Sequence, residues 1–200
     1  MTTPRTAPLG GLTIAGIVLA AGHSSRTSFP KALALLEGEP LAMRAVRTLR
    51  QGGCERIVVV VGPPHEAAVT ACVDVPTVRN DAPERGMFRS LKLGAQAVMP
   101  CDAVVFSLVD HPRVRPETVA LLIARFRAGA LAVRPRNGGR TGHPALISGA
   151  LAAELLSAGE DQSARDVVGD RWSDLDTDDA GVADDLDDDV AIAAMGILRP

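Results

Sequence analysis

Tyrosine is absent from this 200-residue chain, and aromatic residues make up only 2% of it. Single-stranded nucleic acid is held largely by stacking bases on aromatic rings, so that class of partner is excluded. Excess positive charge is missing too. The net charge is −3, whereas proteins that live on duplex phosphates need a basic surface. Cysteine is scarce: Cys54, Cys72 and Cys101 are scattered and form no C-x-x-C pair. That pattern encodes neither a disulfide framework nor a zinc site, and it fits free thiols in a reducing cytoplasm. No stretch approaches the roughly 20 apolar residues of a membrane span. Arg5 followed by the apolar residues 9–21 imitates a secretory signal, but Gly10, Gly11, Thr13 and Gly16 dilute it.

What remains is globular material. Hydrophobic residues reach 46% and charged ones 22%, enough for the core of one domain built from alanine, valine and leucine. The charge is uneven. Residues 171–200 hold nine aspartates against two arginines, a net of −7, which leaves +4 on the first 170. A mildly basic body with an acidic end suits an anionic small molecule better than a membrane or a duplex.

Residues 1–12, with Pro4, Pro8 and Gly10–Gly11, read as a flexible leader, and 13–198 as a single domain. Continuous apolar runs at 14–20, 57–61 and 103–109 predict buried strands, with weaker strand signals at Val133 and 145–147. Helical spacing occupies 41–51, 65–72, 87–99 and 116–126, the last opening on Pro116, whose missing N–H costs nothing in a first turn. Strands alternating with helices predict an α/β fold: one doubly wound, mostly parallel, Rossmann-like sheet covered on both faces. Ligands of such sheets bind beyond the carboxyl ends of the strands. Residues 22–31, 62–64 and 110–112 therefore share one mouth.

The loop Leu19-Ala20-Ala21-Gly22-His23-Ser24-Ser25-Arg26, followed by Pro30-Lys31, ends a strand in small residues, hydroxyls and two cations. Its backbone N–H groups can cradle phosphates while Arg26 and Lys31 neutralise a triphosphate. It is neither a Walker A loop nor G-x-G-x-x-G, and a plain turn with two solvated cations fits the same letters. Asp110, directly after the strand at 103–109, is placed to hold Mg²⁺ through hard oxygen or to cap the next turn. His65 reads as a helix-start residue and Trp172 as packing. The acidic end also fits a solvated tail.

Taken in order, these segments resemble the MobA-like nucleotidyltransferases, whose opening reads L-A-[AG]-G-x-S-x-R-M-G-x-x-K. Asn80 with Gly86-Met87 and Ser90-Leu91 resembles that family's second nucleotide loop, and Val109-Asp110-His111-Pro112 its metal-binding D-x-P. Gly139-Arg140-Thr141-Gly142-His143-Pro144 resembles the G-R-x-G-H-P of the molybdenum cofactor cytidylyltransferase branch, and 159–165 its G-D-x-G-A-R. The resemblance implies transfer of CMP from CTP to a phosphorylated acceptor, molybdopterin, with Mg²⁺ as cofactor, pyrophosphate as product and a molybdoenzyme as partner. Ala21, where guanylyl-transferring relatives have glycine, leans towards CTP.

It further implies Arg26, Lys31 and Asp110 as catalytic residues, and Leu19, Ala20, Ala21, Gly22, Ser24, Asn80, Gly86 and Ser90 as further nucleotide contacts. Arg140 and His143 would face the acceptor. A second carboxylate beside Asp110 falls among Asp176, Asp185 and Asp187, with Asp187 preferred because it keeps the family's spacing from Gly181. The chain departs from the pattern at Thr27-Ser28-Phe29, where M-G-x is usual, at Phe88-Arg89 and at Ser163. Two readings of different class follow: an active Mg²⁺-dependent transferase, for this or another NTP and acceptor, or a nucleotide- or cofactor-binding delivery protein without catalysis.

Overall fold

The stretch Ile14–Leu19 carries no polar side chain, and every residue of it is buried. A strand can satisfy that pattern only inside a sheet with both faces covered. The computed structural model, which describes residues 11–22, 29–186 and 189–200 (189–191 by backbone alone), places it so. The elements run β1 (Ile14–Leu19), β2 (Leu35–Leu36), β3 (Glu39–Pro40), α1 (Leu41–Gln51), β4 (Arg56–Val61), α2 (Glu66–Ala71), β5 (Thr77–Arg79), α3 (Met87–Val98) and β6 (Ala103–Leu108). They continue as α4 (Pro116–Arg127), β7 (Ala132–Asn137), β8 (Arg140–Thr141), β9 (Ala145–Ser148), α5 (Gly149–Ser157), α6 (Ala164–Val168), β10 (Trp172–Asp176) and α7 (Asp189–Ala194).

Among the described residues eight strands form the main sheet, in the order β10-β7-β9-β6-β1-β4-β5 with β8 paired to β7. β1 runs parallel to β4 and β6, β4 to β5, and β7 to β10. β9 runs against both its neighbours. Alternate side chains of β1 serve opposite layers. Ile14 and Val18 pack with Val46 and Leu49 of α1 and with Val119 and Leu122 of α4. Ala15, Ile17 and Leu19 pack with Leu91 and Ala95 of α3 and with Leu151 and Leu155 of α5. Each such valine, leucine or isoleucine side chain stabilises the fold by about 1.5–3 kcal/mol. α3 approaches so closely that a Cβ at Gly94 would lie 2.6 Å from Ile17 Cγ2.

The expected strands and helices recur within a residue or two, and the doubly wound, mostly parallel architecture is the observed one. The reading of 171–200 as a solvated tail is corrected. Residues 172–176 form the edge strand β10, whose Asp174 and Asp176 lie in register with Arg134 and Arg136 and pair with them at 2.6 and 2.7 Å. Farther on, Leu186, Ile192 and Ile197 pack on Leu36 and Leu41, and Leu198 pairs with Leu35, so the C-terminal segment returns past Lys31. No helix among the described residues is long and apolar enough to cross a membrane.

Candidate active site

Parallel neighbours leave a sheet at the same edge, so the loops after β1, β4 and β6 meet. They enclose a cleft of about 220 Å³. Leu19, Ala20, Ala21 and Gly22 form one wall, Gly62, Pro63 and His65 a second, and Gly86, Met87 and Ser90 a third, with Lys31 and Asp110 at the end between them. His65 is the N-cap residue of α2, as expected. Gly86 has φ +97°, a conformation open to glycine, and stands as N-cap of α3 without a side-chain cap. The N-terminus of a helix three turns long thus opens at the cleft, where its positive end favours an anion. Ser24 and Arg26 lie outside the described residues.

Asn80 is brought to this loop but not to the cleft surface, since it is fully buried. Its Nδ2 donates to Ser90 Oγ at 2.9 Å, and its Oδ1 accepts from the Ala82 N–H at 3.0 Å and Arg89 Nε at 3.2 Å. It holds Ser90 and the 80–90 loop in place.

At the cleft's end Lys31 Nζ is 3.8 Å from Asp110 Oδ2 and donates to the Leu186 carbonyl. The Leu186 N–H in turn donates to the Asp110 carbonyl at 2.9 Å. Asp110 Oδ1 is buried with no hydrogen-bond partner, and His111 Nε2 stands 3.8 Å from it. A buried carboxylate oxygen left unpartnered is costly unless a cation completes it, so Asp110 fits a hard divalent ion. Among the described residues no three His, Cys, Asp or Glu side chains group together as a metal site. Leu186 carries the acidic segment onto Asp110. Asp185 faces Arg140 at 3.8 Å, Asp176 is committed to Arg136 three strands from β6, and Asp187 lies outside the described residues.

Beyond Met87, which lines both, is a second cavity of about 400 Å³. Phe106, His143 and Trp172 form its apolar walls, and Thr141, Arg134 and Arg165 bring polar groups. His143 meets Phe106 edge-on at 5.6 Å and His111 at 5.5 Å. Burial, and secondarily His111, pushes the His143 imidazole down to about 4, so it is neutral at physiological pH. Its Nδ1 is buried without a partner. Arg140 is 70% exposed and does not line this cavity. The arginines that do are Arg134, which also lies 5.6 Å from the Trp172 ring, and Arg165. In the sequence Arg165 ends the 159–165 motif, which by itself gives it no role. The capping box of Ser163 and Asp166, which starts α6 beside it, was the available signal.

Residues 16–176 match the MobA-like NTP transferase domain. The chain is 30% identical over 154 residues to nicotine blue oxidoreductase of Paenarthrobacter nicotinovorans, covering 72% of this chain and 75% of that protein. It is 35% identical over 145 residues to 2-C-methyl-D-erythritol 4-phosphate cytidylyltransferase of Streptomyces avermitilis, covering 66% of this chain and 56% of that one. A probable molybdenum cofactor guanylyltransferase of Opitutus terrae is 36% identical over 121 residues, covering 60% of this chain and 59% of its own length. Among solved structures, Rv0371c of Mycobacterium tuberculosis superposes with a TM-score of 0.76 at 26% identity, covering 94% of this chain and 98% of that one.

Proposed function

This chain belongs to the MobA-like NTP transferase family and is a nucleotidyltransferase, and from that premise we propose that it moves CMP from CTP to the terminal phosphate of molybdopterin, releasing pyrophosphate. The observation that carries the proposal is the buried, unpartnered Oδ1 of Asp110 beside Lys31, in a cleft that reaches a second, arginine-walled cavity past Met87.

The acceptor's phosphate is already anionic, so no general base is needed. Its oxygen attacks the α-phosphorus, the bond to the β-phosphate oxygen breaks, and the electron pair leaves with pyrophosphate. The obstacle is the meeting of two anions, which positioned positive charge relieves. Lys31 holds the triphosphate with the N-terminus of α3, and Arg26 joins them by resemblance. Leu19 and the small residues Ala20, Ala21 and Gly22 form one wall, where with Ser24 the small side chains let the backbone approach the phosphates, and Gly86 and Ser90 line the opposite wall that Asn80 supports. Asp110, with Asp187, is the proposed holder of Mg²⁺, which when bound supplies charge against the triphosphate oxygens. Arg134 and Arg165 receive the acceptor's phosphate, neutral His143 lies against its ring, and Arg140, beside Asp185 outside the cavity, joins them only by resemblance.

Support for CTP is Ala21 and the likeness to a cytidylyltransferase; support for molybdopterin is the Gly139–Pro144 motif and the likeness to a molybdenum cofactor guanylyltransferase. We assign the activity to residues 13–198 and the protein to the cytoplasm, where its three free cysteines are at home, with a molybdoenzyme receiving the product.

The test is pyrophosphate release with CTP, GTP, ATP and UTP, each with Mg²⁺ and molybdopterin. Release with CTP alone supports the proposal, and release with another NTP overturns the base. Silence with all four, from protein that binds nucleotide, favours a delivery role without catalysis. An oxidoreductase reading, carried by the likeness to nicotine blue oxidoreductase, also predicts no pyrophosphate.

A further inference from the structure

Three residues of the two cavities, Lys31, Asp110 and His143, and His111 beside them, are tied to one short strap near the C-terminus. The Val182 carbonyl accepts from the His143 N–H at 3.0 Å, and the Gly181 carbonyl lies 3.4 Å from His111 Nδ1. Leu186 gives its N–H to the Asp110 carbonyl at 2.9 Å and takes the Lys31 ammonium on its own carbonyl. The strap crosses its neighbours in contact. A Cβ at Gly142 would fall 1.6 Å from the Val182 oxygen, and one at Gly181 would fall 2.5 Å from the Arg113 carbonyl. Residues 179–186 therefore have one path across the mouth, and any sliding of that path moves Asp110 and Lys31 with it.

What anchors the strap is Asp179, a carboxylate only 3% exposed. Its Oδ2 accepts from the Arg115 N–H at 2.9 Å and from Thr118 Oγ1 at 2.6 Å, both at the start of α4. Its Oδ1 accepts from the Gly181 N–H at 3.0 Å, with Arg115 Nε 3.7 Å away. Both oxygens are thus engaged by protein donors, as a buried carboxylate requires. Asp179 lines neither cavity, in contrast to Asp110. It can act on the site only through the strap.

We infer that Asp179 is a positioning residue of the active site: by fastening residues 179–186 to the N-terminus of α4 it sets the separation of Asp110 and Lys31. This rests on the proposed reading of Asp110 as a metal-holding carboxylate. Catalytic and metal-binding groups tolerate little displacement, since an error of about 1 Å can cost on the order of 100-fold. The carboxylate matters because it joins two elements at once; without it the strap keeps Val182 and Leu186 but loses its reference point on α4.

The experiment is Mn²⁺ binding to the folded full-length chain, followed by electron paramagnetic resonance without nucleotide, well below each variant's melting temperature. Asp179→Ala should weaken Mn²⁺ binding at least tenfold and Thr118→Val severalfold, while Thr118→Ser, which keeps the hydroxyl, should match the parent. Leu155→Ala, a core truncation in α5 away from the strap, controls for lost stability and should leave the affinity unchanged. Parent-like binding by Asp179→Ala overturns the inference, and if that variant does not fold, parent-like binding by Thr118→Val does so instead. Asp110→Ala separates the two layers of argument. If it also binds like the parent, the metal reading has failed and the inference with it; if it loses Mn²⁺ while Asp179→Ala does not, only the inference has failed.

Discussion

Lys31 Nζ stands 3.8 Å from Asp110 Oδ2, although Lys31 follows β1 in the chain and Asp110 follows β6. β1 and β6 are parallel neighbours in register from Ile14↔Ala103 to Leu19↔Leu108, so both chains leave the sheet at one edge. The ion pair joins the two charges that an NTP and its metal would have to separate: ammonium to triphosphate, carboxylate to cation. On the proposed reading, ligand binding would exchange one pairing for another and leave neither charge uncompensated.

Asp110→Asn should keep the fold, because the Leu186 N–H bonds the backbone carbonyl of Asp110 and not its side chain. Pyrophosphate release should drop by about 10²–10³-fold, the usual loss when a charge-stabilising group is removed from a transfer site. Steady-state release, read beside a circular dichroism melt, checks both halves.

Lys31→Met removes the ammonium from the Leu186 carbonyl and from the cleft. The KM for the NTP should rise by about 10–100-fold, as expected for a lost charge-assisted contact of roughly 1.5–3 kcal/mol. Binding by the parent should weaken with added salt more steeply than binding by the variant. Calorimetric titration at two salt concentrations measures this.

Gly142→Ala places a methyl group 1.6 Å from the Val182 oxygen, a backbone atom that cannot rotate away. Destabilisation of about 3 kcal/mol is expected from such overpacking. Gly22→Ala meets nothing within 4 Å and should melt like the parent. Comparing the two melting temperatures tests the strap's path directly.

His143 is held down to about 4 from an ordinary 6.5. As pH falls below 6.5 the unfolded chain takes up a proton that the folded chain refuses, so stability present above that pH is lost on the way down to about 4. The shift is worth about 3 kcal/mol. In His143→Phe this part of the pH dependence should vanish. Urea unfolding of both proteins between pH 4 and 7 decides it, and parallel slopes would show that His143 is not the group responsible.

The main strands were legible because a run such as 57–61 is apolar at every position, and only a sheet covered on both faces accepts that. β10 was not legible. Trp172-Ser173-Asp174-Leu175-Asp176 breaks the period-two pattern at Ser173-Asp174, and its place at the edge depends on Arg134 and Arg136 lying in register on β7. Asp110 could be picked out because it ends a buried strand. Asp179 could not: it is one of nine aspartates in an acidic stretch, and nothing in the letters separates the one that is buried among backbone donors from its exposed neighbour Asp178. Arg140 carried the motif, yet the hairpin of β7 and β8 turns it outward towards Asp185, while Arg134 and Arg165 converge on the cavity from β7 and α6.

Local chemistry determined the layered fold, the small-residue turn that ends β1 and the carboxylate at a strand end, since periodicity and strand termini are properties of neighbouring residues. Which aspartate anchors, which arginine faces the second cavity, and how the C-terminal strap brings Leu186 onto Lys31 and Asp110 were decided by tertiary structure. Those outcomes depend on burial and on hydrogen bonds between residues far apart in the chain, and such terms exist only once the sheet has set the loops side by side.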